Sequence, residues 1–136
     1  MIDRAFWARQ RVLVTGHTGF KGAWLALWLR QMGADVIGLS LPPASEPSLF
    51  ALTGLEETID SHFGSIVDRD VVDGLIADTQ PTIILHLAAQ ALVRASYDDP
   101  AETFATNVVG TANVLNAATS VAELKAVVSV TSDKCY

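Results

Sequence analysis

Three glycines, Gly16, Gly19 and Gly22, recur every third residue inside RVLVTGHTGFKGAWLALWLRQM, the stretch from Arg11 to Met32. The run Val12, Leu13, Val14, Thr15 just before them is apolar and β-branched, and it predicts a short buried strand. A helix should follow at once. Its expected inner face is Trp24, Leu25, Trp28, Leu29 and Met32, with Gly33 standing where a C-terminal stop belongs. Glycines in that setting let the backbone turn tightly and let a pyrophosphate approach, while the helix N-terminus offers free N–H groups and a positive dipole end. Strand, glycine turn and helix in that order give the triplet its meaning. Gly16, Thr18, Gly19, Phe20 and Gly22 are therefore expected to contact a dinucleotide.

A second group of reactive side chains closes the chain: Thr131, Ser132, Asp133, Lys134, Cys135, Tyr136. A hydroxyl, an acid and a base stand side by side there. A carboxyl kept protonated near neutral pH can act as a general acid, and burial near another charge tunes it. From the residues alone, Asp133 and Lys134 equally suit an ordinary surface pair. His86, a lone histidine at a strand end, suits orientation of a loop better than proton transfer. Nothing supplies Cys135 with a base, so it is expected to be a buried small side chain. Trp24 and Trp28, four apart on a helix, are expected in the core.

Composition narrows the class. Of 136 residues, 50% are hydrophobic and 18% charged, which suits one domain with a real core. The net charge of −6, with no cluster of Lys or Arg, argues against a general nucleic-acid binder. One cysteine excludes an internal disulfide and a cysteine-only metal site, and no metal is expected. The N-terminus has no apolar signal-like core, and the longest apolar run, Ala23 to Leu29, is too short to span a bilayer. A soluble cytoplasmic protein is the expectation.

The remaining elements must position these residues. Asp35 to Ser40 predicts a second strand, followed by a proline-rich loop over residues 41–49. A third strand is expected over Thr58–Phe63, a helix over Asp70–Asp78, a fourth strand over Thr82–Leu87 and a fifth over Ala126–Val130. A long helix should start near Pro100, capped by Asp98 or Asp99, with Phe104, Val108, Thr111, Ala112 and Leu115 as its inner stripe. Alternating strands and helices predict an α/β fold, a doubly wound, Rossmann-like parallel sheet of order 3-2-1-4-5. The switch point then lies between strands 1 and 4. There the glycine turn faces Leu87, Ala88 and Ala89.

Taken together, VTGHTGFKGAWL, the PSLF of Pro47–Phe50, HLAAQALVRASY, ETFATNVVGT and TSDKCY resemble the CDP-glucose 4,6-dehydratase group of the extended short-chain dehydrogenase/reductase family. The resemblance runs through the whole chain but covers only the N-terminal part of that family's length. It implies NAD as cofactor and CDP-glucose as the nucleotide-sugar substrate. The implied reaction oxidises the sugar transiently at C4, eliminates water across C5 and C6, and returns hydride to C6. It also implies catalytic roles for Asp133 and Lys134, with Ser132 on the sugar's 4-hydroxyl and Thr131 as the fallback. Asn107 would fix the active-site backbone, with a plain helix-surface asparagine as the alternative. Arg94, Ser96 and Tyr97 match a stretch near cofactor and substrate, although Arg94 equally suits a solvated charge.

Three departures stand out. The acid that usually holds the ribose at the end of strand 2 is replaced by Ser40, and Asp35 lies at the strand's other end. No cation follows Ser40 to bind a 2′-phosphate, so NAD is expected over NADP. Ser65 occupies the position of an adenine-contacting acid, and Asp68 matches the later acid of that segment. No Tyr-x-x-x-Lys motif occurs. The chain is therefore read as the cofactor-binding portion of a longer enzyme, without its sugar-binding domain, and a homo-oligomer is expected. An epimerase or reductase on the same fold, and a dinucleotide-binding module without catalysis, are the competing readings.

Overall fold

The computed structural model describes residues 3–132. A short helix α1 (Arg4–Trp7), capped by the Asp3 carboxylate, leads into β1 (Arg11–Thr15). Every residue of β1 after Arg11 is buried. Such a strand needs cover on both faces, and the parallel sheet supplies it. The order is β3-β2-β1-β4-β5, as the sequence predicts, with β2 at Asp35–Ser40, β3 at Asp60–Phe63, β4 at Ile83–His86 and β5 at Ala126–Ser129. Val12 pairs with Val36 on one side and Ile83 on the other, so β1 is the sheet's axis.

Alternation along β1 divides the core. Val12 and Val14 face α2 (Phe20–Gln31), joining Ala23, Ala26, Leu29 and Met32, with Phe50 from α3 (Leu49–Leu52). Leu13 faces the opposite layer, built from Val72 and Ile76 of α4 (Arg69–Thr79) and Val114, Ala117 and Ala118 of α7 (Thr111–Ala118). Between β4 and α7 run α5 (Val93–Asp98), α6 (Pro100–Phe104) and a π-helical turn over residues 105–110. Asp99 caps α6 by accepting the Glu102 N–H at 3.0 Å.

Two helix faces differ from expectation. Trp24 and Trp28 are half exposed, whereas Gly22, Ala23, Ala26 and Leu29 form the buried face of α2. Small residues let the helix lie close to the sheet, and that close approach decides which side turns inward. Likewise Phe104, Val108 and Leu115 are exposed. The buried residues of that helical run are Gly110, Val114, Ala117 and Ala118, so the inner face is centred about one position before the expected stripe. Polar Thr103 and Asn107 continue the same face toward the loop after β4, which an apolar pattern does not reveal.

Candidate functional site

At the carboxyl ends of β1 and β4 a crevice of about 820 Å³ opens. One wall is the turn Gly16, Gly19, Phe20, Lys21 and Gly22; another is Leu87, Ala88, Ala89 and Gln90; Asn107, Thr111 and Ser129 to Ser132 are among the residues that line the rest. Sequence-distant residues thus meet at the switch point, where doubly wound sheets bind ligands.

Each glycine of the turn has its own reason. Gly16 adopts φ +79°, and a Cβ there would stand 2.9 Å from the Ala88 nitrogen. A side chain on Gly22 would drive into the Gly16 carbonyl, so this glycine lets α2 meet the turn. Gly19 is different. It sits at the N-cap of α2 with an ordinary φ of −73°, and its nearest heavy atom to an added Cβ is the Gly16 oxygen at 3.4 Å. Neither backbone strain nor internal packing demands glycine there. The space its missing side chain leaves belongs to the crevice, at a helix N-terminus with no side-chain cap.

Between Gly16 and Gly19 the turn is stitched to the end of β2. Thr18 donates its hydroxyl proton to the Leu41 carbonyl at 2.8 Å, which leaves the Ser40 hydroxyl, also at 2.8 Å, to donate to Thr18. Ser40 is buried and already bonded, and only its lone pairs remain to receive a ribose hydroxyl. His17, which the sequence did not single out, is fully buried. Its Nε2 meets Ser61 Oγ at 2.7 Å, and its ring stacks on Phe63 and stands edge-on to Phe50. A Cβ on Gly38 would lie 2.5 Å from that ring, so the glycine inside β2 is the signal that a side chain crosses it. Burial pushes the His17 pKa down to about 4; the Leu39 backbone opposes this and nearby His62 adds to it.

On the opposite wall, Asn107 accepts the Gln90 N–H at 2.8 Å and donates to the Gln90 carbonyl at 3.0 Å. It is no idle surface asparagine: it clamps the backbone that follows Ala89. His86 is buried between Thr15 Oγ1 at 2.6 Å and Thr111 Oγ1 at 3.0 Å, and burial lowers its pKa. Asp68 caps α4, accepting from Asp70 N and Val71 N at 3.1 and 3.3 Å. Ser96 lines the crevice and Tyr97 is 83% exposed. Ser132 reaches the crevice rim, whereas Asp133, Lys134 and Cys135 lie outside the described residues. Among the described residues no group of three or more His, Cys, Asp or Glu is placed to hold a metal, and no helix is long and apolar enough to cross a membrane.

Sheet order and glycine turn define a doubly wound α/β domain of the dinucleotide-binding kind. Within that class the chain belongs to the GDP-mannose 4,6 dehydratase family, which residues 13–136 match. It is 52% identical over 136 residues to the CDP-glucose 4,6-dehydratase of Salmonella typhimurium, covering 100% of this chain and 38% of that enzyme. The chain thus spans well under half the length of that relative. Among solved structures, an epimerase of Methanothermobacter thermautotrophicus superposes with a TM-score of 0.78 at 29% identity, covering 96% of this chain and 37% of that one. The UDP-glucose 4-epimerase of Stenotrophomonas maltophila, solved with bound NAD and formylated UDP-arabinopyranose, superposes at 0.76 with 27% identity, covering 92% and 38%.

Proposed function

We propose that this chain is the NAD-binding portion of a nucleotide-sugar 4,6-dehydratase that acts on CDP-glucose. The observation that carries the reading is Gly19. A glycine that the protein's own packing does not require, at an uncapped helix N-terminus in a crevice, is explained by a pyrophosphate that a Cβ would obstruct. The identity to the Salmonella typhimurium enzyme supports the substrate, and the NAD in the Stenotrophomonas maltophila structure supports the cofactor.

In this reading the α2 N-terminus and the turn hold the pyrophosphate, and Ser40 accepts from a ribose hydroxyl. Leu87, Ala88 and Ala89 form the opposing wall, with Asn107 fixing its far end. Asp68 remains a candidate for the adenine side, although its carboxylate already caps α4. Bound NAD supplies a reversible hydride acceptor for the sugar's C4. By the family resemblance Ser132 serves the sugar's 4-hydroxyl, Asp133 gives a proton to the departing C6 hydroxyl, and Lys134 is the second member of the catalytic Asp-Lys pair. No Lys or Arg lies between Arg30 and Arg69, so the segment after Ser40 offers no cation to a 2′-phosphate. NAD should therefore bind more tightly than NADP.

Calorimetric titration with each dinucleotide tests the cofactor, and tighter NADP binding would overturn it, pointing to Lys21 as a phosphate ligand. The substrate is tested by offering CDP-, UDP-, GDP- and dTDP-glucose to the full-length gene product and identifying the sugar formed. A 4-keto-6-deoxy product from CDP-glucose is expected. A C4 epimer instead would establish the epimerase reading.

A further inference from the structure

We propose that His86 is a positioning residue that fixes the crevice wall through a single tautomer, with the proton on Nε2. This rests on reading the crevice as a dinucleotide site. The assignment follows from counting protons. Thr15 Oγ1 accepts the Ala88 N–H at 3.1 Å and shares the Leu87 N–H, also at 3.1 Å, with the Thr15 carbonyl. A hydroxyl offers two lone pairs and one proton. Its lone pairs being taken, Thr15 gives its proton to its third neighbour, His86 Nδ1 at 2.6 Å. Nδ1 is then an acceptor, and the neutral ring carries its hydrogen on Nε2.

That hydrogen has a receiver. Nε2 faces Thr111 Oγ1 at 3.0 Å, and Thr111 spends its own proton on the Asn107 carbonyl at 2.8 Å. Asn107 in turn holds both backbone groups of Gln90. Each side-chain donor in this series has one acceptor. The network ties the end of β1 to the end of β4 and to the π-helical turn, and it grips the wall at Leu87 and Ala88 on one side and Gln90 on the other. A charged ring would bring a second N–H against Thr15, whose lone pairs are occupied, so the arrangement requires the neutral form. His86 is 2% exposed and acts through the wall it holds. The π turn serves the same end: such turns occur mostly as single-turn bulges inside α-helices, frequently at functional sites, and this one carries Asn107 and leads into Thr111.

The test combines heteronuclear NMR of the histidine ring with calorimetric NAD titration of the same labelled chain. The free wild type should show the Nε2–H tautomer alone near neutral pH. Thr15→Val, which removes the proton donor to Nδ1, should admit the second tautomer and weaken NAD binding about five- to tenfold, with Thr15→Ser restoring both. Should Thr15→Val fail to fold, Thr111→Val at the half-buried helix position serves instead, with Thr111→Ser as its rescue and a comparable loss expected. An Nδ1–H tautomer or a charged ring in the wild type overturns the proposal. A wild type that binds NAD while the valine variants bind equally well overturns the positioning role alone. A wild type that binds no NAD overturns the reading of the crevice, and the positioning role falls with it.

Discussion

At the scale of single residues, the glycine turn is held by side chains that do not face the ligand. His17 is the clearest case, buried against Phe50 and Phe63 and accommodated by the missing side chain of Gly38. Its pKa of about 4 in the folded chain lies below the ordinary 6.5, which fixes the sign of its effect. Above the ordinary value the ring is neutral in both states and contributes no pH dependence. As pH falls toward 4 the unfolded chain binds a proton that the native one refuses, so stability drops, by at most about 3 kcal/mol. Urea unfolding from neutral pH down to about pH 5 should show this decline, and His17→Gln should be less stable throughout yet have the shallower slope. Equal slopes would show that His17 is not held neutral. Gly38→Ala probes the same contact from β2. It should cost about 1–3 kcal/mol because the ring has nowhere to retreat.

At the scale of elements, strands were easier to read than helix faces. Val12 to Thr15 is a buried run and Ile83 to His86 a largely buried one, and their type follows from β-branching and length. The faces of α2 and of the helical run from Pro100 to Ala118 followed only in part from hydrophobicity: Leu29 and Val114 are buried, but Trp24, Trp28, Phe104 and Val108 point outward. Close packing selects Ala and Gly, and an apolar pattern weights Trp and Phe instead. Stability measurements should reflect the true faces. Trp24→Arg should change unfolding free energy by about 0.5 kcal/mol or less, whereas Ala26→Leu should cost about 1–3 kcal/mol by overpacking a fully buried site. The reverse ranking would place the Trp face inward. The site was legible to a similar degree. Gly16, Gly19, Gly22 and the Leu87–Ala89 wall could be placed from motif and topology, while the Thr18–Ser40 bond, the His17 contact and the Thr15–His86–Thr111 series depend on side-chain orientations that no spacing rule encodes.

For the whole molecule, the topology was predictable because right-handed crossovers leave few ways to arrange alternating strands and helices around a buried β1. The same topology sets a property of the chain in solution. Among the described residues β5 pairs only with β4, and Val128 and Val130 are half exposed beside its free edge. A parallel edge rich in valine invites pairing with another chain. Sedimentation of the 136-residue chain should reveal concentration-dependent self-association that Val128→Lys reduces. A strictly monomeric species over a wide concentration range would show that the edge is otherwise protected. Whether the crevice holds a dinucleotide is decided at Gly19. NAD titration of the wild-type chain and Gly19→Val, with circular dichroism confirming that both are folded, compares a pyrophosphate path that is open with one that is blocked. Saturable NAD binding by the wild type and a loss of at least about a hundredfold in the variant are expected, since a branched side chain would occupy the ligand's place. Undiminished affinity in a folded Gly19→Val chain would contradict a dinucleotide site there.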